Sequence, residues 1–136
     1  MQALKPHLYT VPDGGGAGVP QLRGGRCTCG YVFFPMQTYG CEVCGRTGDA
    51  LQPALLSGEG ALVASARVLM HANKDRTPPF VVVSVKLADG PVVRTLLAQD
   101  TTERLTVGQP VQACLVEVGR TEAGDAIVDL RFSPKH

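Results

Sequence analysis

The chain has 136 residues, which is enough for one hydrophobic core of ordinary domain size. Hydrophobic residues make up 44% and charged residues 18%, and no apolar run approaches the roughly 20 residues that cross a bilayer. The 13 Lys and Arg nearly balance the 12 Asp and Glu, so no basic surface for nucleic-acid phosphates is indicated. We therefore expect a cytoplasmic protein with neither a membrane segment nor a nucleic-acid ligand.

Composition divides the chain into three regions. Residues 1–24 are rich in Gly and Pro, lack hydrophobic periodicity and predict an extended N-terminal arm. Residues 25–54 contain four of the five cysteines, and residues 55–136 carry the alternating apolar pattern of β-strands. The predicted organisation is an arm, a small metal-binding unit and a β-barrel.

The four cysteines of residues 25–54 form two close pairs. One residue separates Cys27 from Cys29, and two separate Cys41 from Cys44, as expected for two short turns that converge on one ion. A glycine follows each pair, where a tight turn can direct backbone N–H groups at the sulfurs. We interpret the four cysteines as ligands of a structural Zn²⁺, with all four coordination positions filled. Free or disulfide-bonded thiols and an iron centre are the alternatives that the spacing leaves open.

Four apolar side chains between the cysteine pairs are candidates for a partner interface. They are Phe33, Phe34, Met36 and Tyr39. A unit of this size cannot bury so many large side chains by itself, and aromatic residues are common anchors of protein interfaces. The alternative is that they pack only on the neighbouring barrel.

Beyond residue 54 the sequence predicts five strands. Their bounds are 62–70, 80–87, 92–98, 111–118 and 126–132. The pair Asp89-Gly90 marks a hairpin turn between the second and third strands, and imperfect alternation in the fourth indicates a bulge. Five strands with the widest link between the third and fourth match an OB-type barrel, whose closure removes the sheet edges.

Alternation also predicts which side chains of the strands face inward. In the first strand the inward set is Leu62, Ala64, Ala66, Val68 and Met70. In the second it is Val81, Val83, Val85 and Leu87. In the fifth we expect Val128, Leu130 and Phe132 inside, and Asp129 and Arg131 outside.

Several short motifs occur in a recognisable order. They are Leu22-Arg23-Gly24-Gly25-Arg26-Cys27, Cys29-Gly30-Tyr31-Val32-Phe33-Phe34-Pro35, Cys41-Glu42-Val43-Cys44-Gly45, Pro79-Phe80-Val81-Val82, Val107-Gly108-Gln109-Pro110-Val111 and Phe132-Ser133-Pro134. In this order they resemble the small OB-fold proteins with a rubredoxin-like zinc ribbon that associate with acyl-CoA enzymes. The resemblance covers about residues 20–134. It implies an all-β chain, with the zinc ribbon followed by a five-stranded OB-type barrel.

The resemblance also implies a function. Such proteins are accessory subunits of thiolase-superfamily enzymes, including acyltransferases and steroid side-chain retro-aldolases, and help to shape the acyl or CoA channel. We therefore expect a partner subunit and no catalytic residues in this chain. The sequence also lacks a recognisable nucleophile motif or a phosphate-cradling loop.

Two cationic side chains are candidates for ligand contacts, and two alternative functions stay open. Lys74 and Arg76 lie in the polar loop between the first two barrel strands, and are candidate contacts for a CoA phosphate. One alternative function is single-stranded nucleic-acid binding, which needs more aromatic platforms than the barrel provides. The other is electron transfer by a rubredoxin-like iron site.

Overall fold

Strands make up nearly all of the regular structure in the computed structural model, which describes residues 1–12, 18–69, 79–99 and 105–135. The strands are β1 (Gln2–Ala3), β2 (Leu22–Cys27), β3 (Val32–Phe33), β4 (Leu51–Leu56), β5 (Glu59–Val68), β6 (Phe80–Leu87), β7 (Val92–Leu96), β8 (Pro110–Arg120) and β9 (Ala126–Pro134). Within these ranges a 3-10 turn, Gly48–Ala50, is the one helical segment. The predicted all-β class is therefore confirmed. Across the described residues, no helix has the length and apolar character needed to cross a membrane.

The larger sheet contains the five predicted barrel strands. Its strand order is β1-β9-β8-β5-β6-β7, and every neighbouring pair is antiparallel except β1 with β9. The sheet curls until Leu97, just after β7, forms a parallel bridge with Phe132 of β9. The order of β5 to β9 with this closure is that of an OB-type barrel.

The hairpin turn and the bulge predicted for the barrel are both present. Gly90 lies in the turn between β6 and β7 and has a φ of +120°, a value that favours glycine. The predicted irregularity in β8 is a shift of its register against β9 between Glu117 and Gly119.

Alternating side chains of β6 and β9 fill the barrel interior. Val81, Val83 and Val85 have no exposed surface, and the same holds for Phe132 on β9. Their burial confirms the inward sets predicted for these two strands, because successive side chains of a strand point to opposite faces of a sheet.

The inward set predicted for the first barrel strand is confirmed for Leu62 and wrong for Ala64 and Ala66, whereas Val68 is half-buried. Leu62 is buried opposite Val85, but Ala64 and Ala66 are exposed. The pairing with β6 shifts between Leu62 and Ala64, so the strand contains a β-bulge. Val63, Ser65 and Arg67 are exposed as well, so neither face of the strand just beyond the bulge lies in the core, and simple alternation cannot anticipate this. Met70 lies outside the described residues.

The outward position predicted for Asp129 is also wrong. Asp129 is 5% exposed, because residues of the N-terminal arm cover it. Strand β1 pairs with β9, and Tyr9 is buried with its hydroxyl 2.8 Å from Asp129 Oδ1. The described arm residues therefore pack along the barrel and do not extend away from it. Arg131, also predicted outside, is half-buried.

The cysteine-containing region forms a second, three-stranded sheet with the order β3-β2-β4. Strands β2 and β4 pair over their full length, from Leu22 opposite Leu56 to Cys27 opposite Leu51. Leu22 and Leu56 belong to the barrel core, whereas Cys27 and Leu51 belong to a small separate cluster. The two strands thus run from the barrel to the cysteines, and each crosses one of the predicted domain boundaries. The division into residues 1–24, 25–54 and 55–136 stays a prediction.

Candidate metal centre

Four cysteine side chains converge at the end of the three-stranded sheet that is distant from the barrel. Cys27 ends β2, Cys29 follows in the turn to β3, and Cys41 and Cys44 lie in the loop that precedes the 3-10 turn. Their sulfur atoms all lie within 4.8 Å of one another. The Sγ atoms of Cys27 and Cys44 are 3.5 Å apart, and those of Cys29 and Cys41 are 3.7 Å apart. These distances exceed a disulfide bond of about 2.05 Å, so the thiols are free.

The sulfur positions fit a tetrahedral metal ion. Zn–S bonds of about 2.3 Å at tetrahedral angles place neighbouring sulfurs about 3.8 Å apart, close to the two observed distances. Cysteine sulfur is also a ligand that Zn²⁺ and iron prefer in four-coordinate sites. The four side chains can therefore hold one metal ion, and they leave no coordination position open.

Two glycine turns shape the cluster. Gly30 and Gly45 follow the second cysteine of each pair, and both have positive φ, +99° and +79°. Their N–H groups donate to the carbonyl oxygens of Cys27 and Cys41 respectively, at 2.8 and 2.9 Å. A side chain is disfavoured at such φ, which explains why glycine occupies both positions.

Backbone N–H groups adjust the acidity of the thiols. The N–H of Cys29 is the main cause that lowers the pKa of Cys27 to about 6, and the N–H of Cys44 lowers the pKa of Cys41. The pKa of Cys29 rises to about 11: the N–H of Tyr31 lowers it, but burial and hydrogen bonds with the other three thiols outweigh that effect. The thiolates of Cys27 and Cys41 are thus favoured, whereas burial and hydrogen bonds favour the protonated form of Cys29. A bound divalent cation would favour the thiolate form of all four cysteines.

The core under the cysteines is very small. The buried residues of this cluster are Cys27, Phe33, Cys41 and Leu51. The rings of Tyr31 and Phe33 stack at 6.2 Å between centroids, and Arg46 donates to Thr28 Oγ1 between the two cysteine loops. So few buried residues supply little folding energy, and metal ligation is the usual compensation in units of this size.

The structure separates the four predicted interface residues. Phe33 is 5% exposed inside the cysteine-containing unit, and Phe34 packs against the barrel core. Met36 is half-buried against the small cluster, whereas Tyr39 is 84% exposed. Lys74 and Arg76 lie outside the described residues. An interface role for these side chains stays a prediction, and Tyr39 is the one of the first four that presents most of its surface to solvent.

A buried polar network was not predicted from the sequence. Tyr9 Oη donates to Asp129 Oδ1 at 2.8 Å, and Arg131 Nη1 donates to Asp129 Oδ2 at 2.6 Å. Lys5 Nζ lies 3.7 Å from the same carboxylate. Burial alone would raise the pKa of Asp129, but the hydrogen bonds and charges of these partners outweigh it and lower that pKa. Burial, aided by the neighbouring carboxylate, raises the pKa of Tyr9 to about 12.

Together the fold and the cysteines define a class of protein: a Cys₄ ribbon of the zinc type joined to an OB-type barrel. Residues 54–116 match the family model described as "ChsH2, C-terminal OB-fold domain". The structure is similar to a solved structure titled "Ltp2-ChsH2(DUF35) aldolase", with 21% sequence identity, a TM-score of 0.65 and coverage of 84% of each chain. A comparison with curated proteins finds no match. The resemblance predicted from the motifs is thus confirmed for the barrel sequence and for the fold.

Proposed function

We propose that this protein is a non-catalytic accessory subunit of a thiolase-superfamily acyl-CoA enzyme, either an acyltransferase or a steroid side-chain retro-aldolase. It binds that enzyme and helps to shape its acyl or CoA channel. The observation that carries the proposal is the agreement of two comparisons: the barrel matches the ChsH2 OB-fold model, and the whole fold resembles a structure titled as an aldolase of Ltp2 and ChsH2.

The chemistry of the metal site supports an accessory role. Four thiolates around one ion leave no position for a substrate oxygen, so the ion serves structure and supplies no Lewis acid. We propose Zn²⁺ as the ion, held by Cys27, Cys29, Cys41 and Cys44. Its binding would rigidify the loops that carry these residues, as is usual for a small unit that lacks a core.

The surface of the same loops supports protein binding. Tyr39 is 84% exposed and precedes Cys41, and Val43 is 68% exposed between Cys41 and Cys44. Exposed aromatic and aliphatic side chains on a rigid support are favourable interface anchors, because little conformational entropy is lost on binding. We propose that this tip contacts the catalytic subunit.

Elemental analysis of protein purified without chelators tests the metal. We expect about one zinc ion per chain and no visible absorbance. Stoichiometric iron with a red colour would instead favour the alternative function, electron transfer by a rubredoxin-like iron site. Protein that lacks both metals, and does not take up added zinc, would contradict the site itself.

Co-expression tests the partner. A thiolase-like protein from the same organism, produced with this chain, is expected to elute with it as one complex on size exclusion. Tyr39→Ala should weaken that complex by about tenfold or more, as expected for an interface anchor. Val107→Ala is the matched control, because Val107 is 72% exposed on the barrel side of the chain and should leave affinity unchanged. Separate elution of the two wild-type proteins, with salt-sensitive binding of single-stranded DNA by this chain, would support the nucleic-acid alternative.

A further inference from the structure

An open groove follows the seam where the barrel closes. Residues of β6, β7, β9 and the N-terminal arm line it. Its polar side chains are Lys5, Arg94, Thr95, Asp129 and Arg131. The groove is separate from the cysteine cluster and from the exposed tip beside it.

The exposed charge in this groove is positive. Three cations and one carboxylate line it, which gives a net charge of +2. The carboxylate of Asp129 is the most buried of these groups, with 8% of its side chain exposed, compared with 14% for Arg131 and 43% for Lys5. Asp129 also holds Arg131 Nη1 at 2.6 Å and so fixes the guanidinium at the groove wall. The carboxylate is therefore less exposed to a ligand in the groove than Lys5 and Arg131 are.

Arg94 is the strongest indication of a ligand. Its side chain is exposed and forms no hydrogen bond or ion pair within the part of the chain that the structure describes. Thr95 beside it is half-buried, and its hydroxyl is 3.5 Å from the Leu130 carbonyl oxygen, a weak contact that a better acceptor can replace. The groove is thus lined by residues that carry a guanidinium, an ammonium and a hydroxyl, the donors that proteins use for oxyanions.

We propose that this groove binds a phosphate group, with Arg94, Lys5 and Arg131 as its cationic contacts and Thr95 as a hydroxyl donor. A phosphate monoester carries a charge near −2 at neutral pH, which matches the net charge of the groove. Inorganic phosphate and the phosphate of a nucleotide present the same tetrahedral oxyanion, and the experiment below distinguishes these two sources. The proposal goes beyond the accessory role and does not depend on it, because the isolated chain contains the whole groove.

Titration of the full-length protein at low salt tests this proposal. Pyrophosphate and adenosine 3′,5′-bisphosphate are added separately, and binding is followed by calorimetry and by amide shifts of Arg94, Thr95 and Leu96. Arg94→Gln is expected to weaken binding by about tenfold, the value of one charge-assisted contact. Equal affinities would indicate that only the phosphate is bound, and tighter binding of the nucleotide would indicate that it is the natural source.

Arg26→Gln is the matched control. Arg26 is exposed on β2 outside the groove, so this variant loses the same charge as Arg94→Gln but keeps the groove intact. We expect Arg26→Gln to bind as the wild type does, and both variants to keep the wild-type melting temperature. The proposal is overturned if neither ligand binds the wild type, if Arg94→Gln binds as tightly as the wild type, or if both variants weaken binding equally.

Discussion

Replacement of Tyr9 by Phe tests how firmly the N-terminal arm is joined to the barrel. The ring of Tyr9 is 3% exposed and belongs to the barrel core, so Phe keeps the packing and removes only the hydroxyl. That hydroxyl donates to Asp129 and accepts the N–H of Lys5 at 3.1 Å. The variant therefore removes one donor from a buried carboxylate and one acceptor from the arm.

The expected loss of stability is about 2 kcal/mol. A hydrogen bond to a charged group contributes about 1.5–3 kcal/mol to stability. The lower part of this range applies, because Asp129 keeps its hydrogen bonds to Arg131 and to the Leu130 N–H. An unfolding entropy of about 2.1 cal/mol/K per residue gives about 0.29 kcal/mol/K for 136 residues. The melting temperature should then fall by about 7 °C.

The loss should depend on pH in a defined direction. Because the pKa of Asp129 is lowered by folding, its stabilising effect is present above the ordinary value of about 3.9 and is lost as the pH falls below it. The difference between wild type and Tyr9→Phe should therefore be largest near neutrality and shrink below about pH 4. The pKa of Tyr9 is raised from 10.0 to about 12, so the wild type alone should lose this tyrosine's stabilising effect between those values.

Urea unfolding over a pH series measures these differences. Tyr39→Phe is the control, because Tyr39 is 84% exposed and its hydroxyl has no hydrogen-bond partner among the described residues. Acid also releases metal from thiolates, and comparison of the two variants removes that shared effect. A Tyr9→Phe protein that is as stable as Tyr39→Phe at neutral pH would refute the reasoning.

Three further changes have expected outcomes. Cys41→Ser with Cys44→Ser should abolish metal binding, measured by elemental analysis, and lower the melting temperature; stoichiometric metal in the double variant would contradict the ligand assignment. Gly24→Ala should cost about 1–3 kcal/mol in urea unfolding, because the new methyl group meets the β3 backbone, whereas Gly40→Ala has open space and serves as its control. Phe132→Ala should cost about 3–5 kcal/mol, since Phe132 is fully buried; a loss under about 1 kcal/mol would exclude its central place in the core.

The strands were predictable where side chains alternate without interruption. Val81, Val83 and Val85 show this pattern, and the Asp89-Gly90 turn fixes where β6 ends. The bulge after Leu62 was not predictable, because small residues on both sides of it give no signal of which face is buried. Asp129 was assigned to the surface for a similar reason: its partner Tyr9 lies 120 residues away in the sequence.

The convergence of the four cysteines was predictable, whereas the arrangement of the side chains around them was less so. Pair spacing and the following glycines indicated that the cysteines meet, although the gap between Cys27 and Cys29 is one residue shorter than usual. The sequence also indicated an excess of aromatic side chains there. It did not show that Phe33 lies inside and Tyr39 outside, because that depends on the path of a loop.

The shared strands β2 and β4 would couple the stability of the barrel to metal binding by the cysteines. One end of their ladder holds Cys27 opposite Leu51, and the other end, about 17 Å away, places Leu22 and Leu56 in the barrel core. Fraying at the cysteine end would propagate along the same hydrogen bonds toward that core. Chelator or zinc titrations should therefore move a single calorimetric transition of the entire molecule, and its midpoint would report the concentration of free ion.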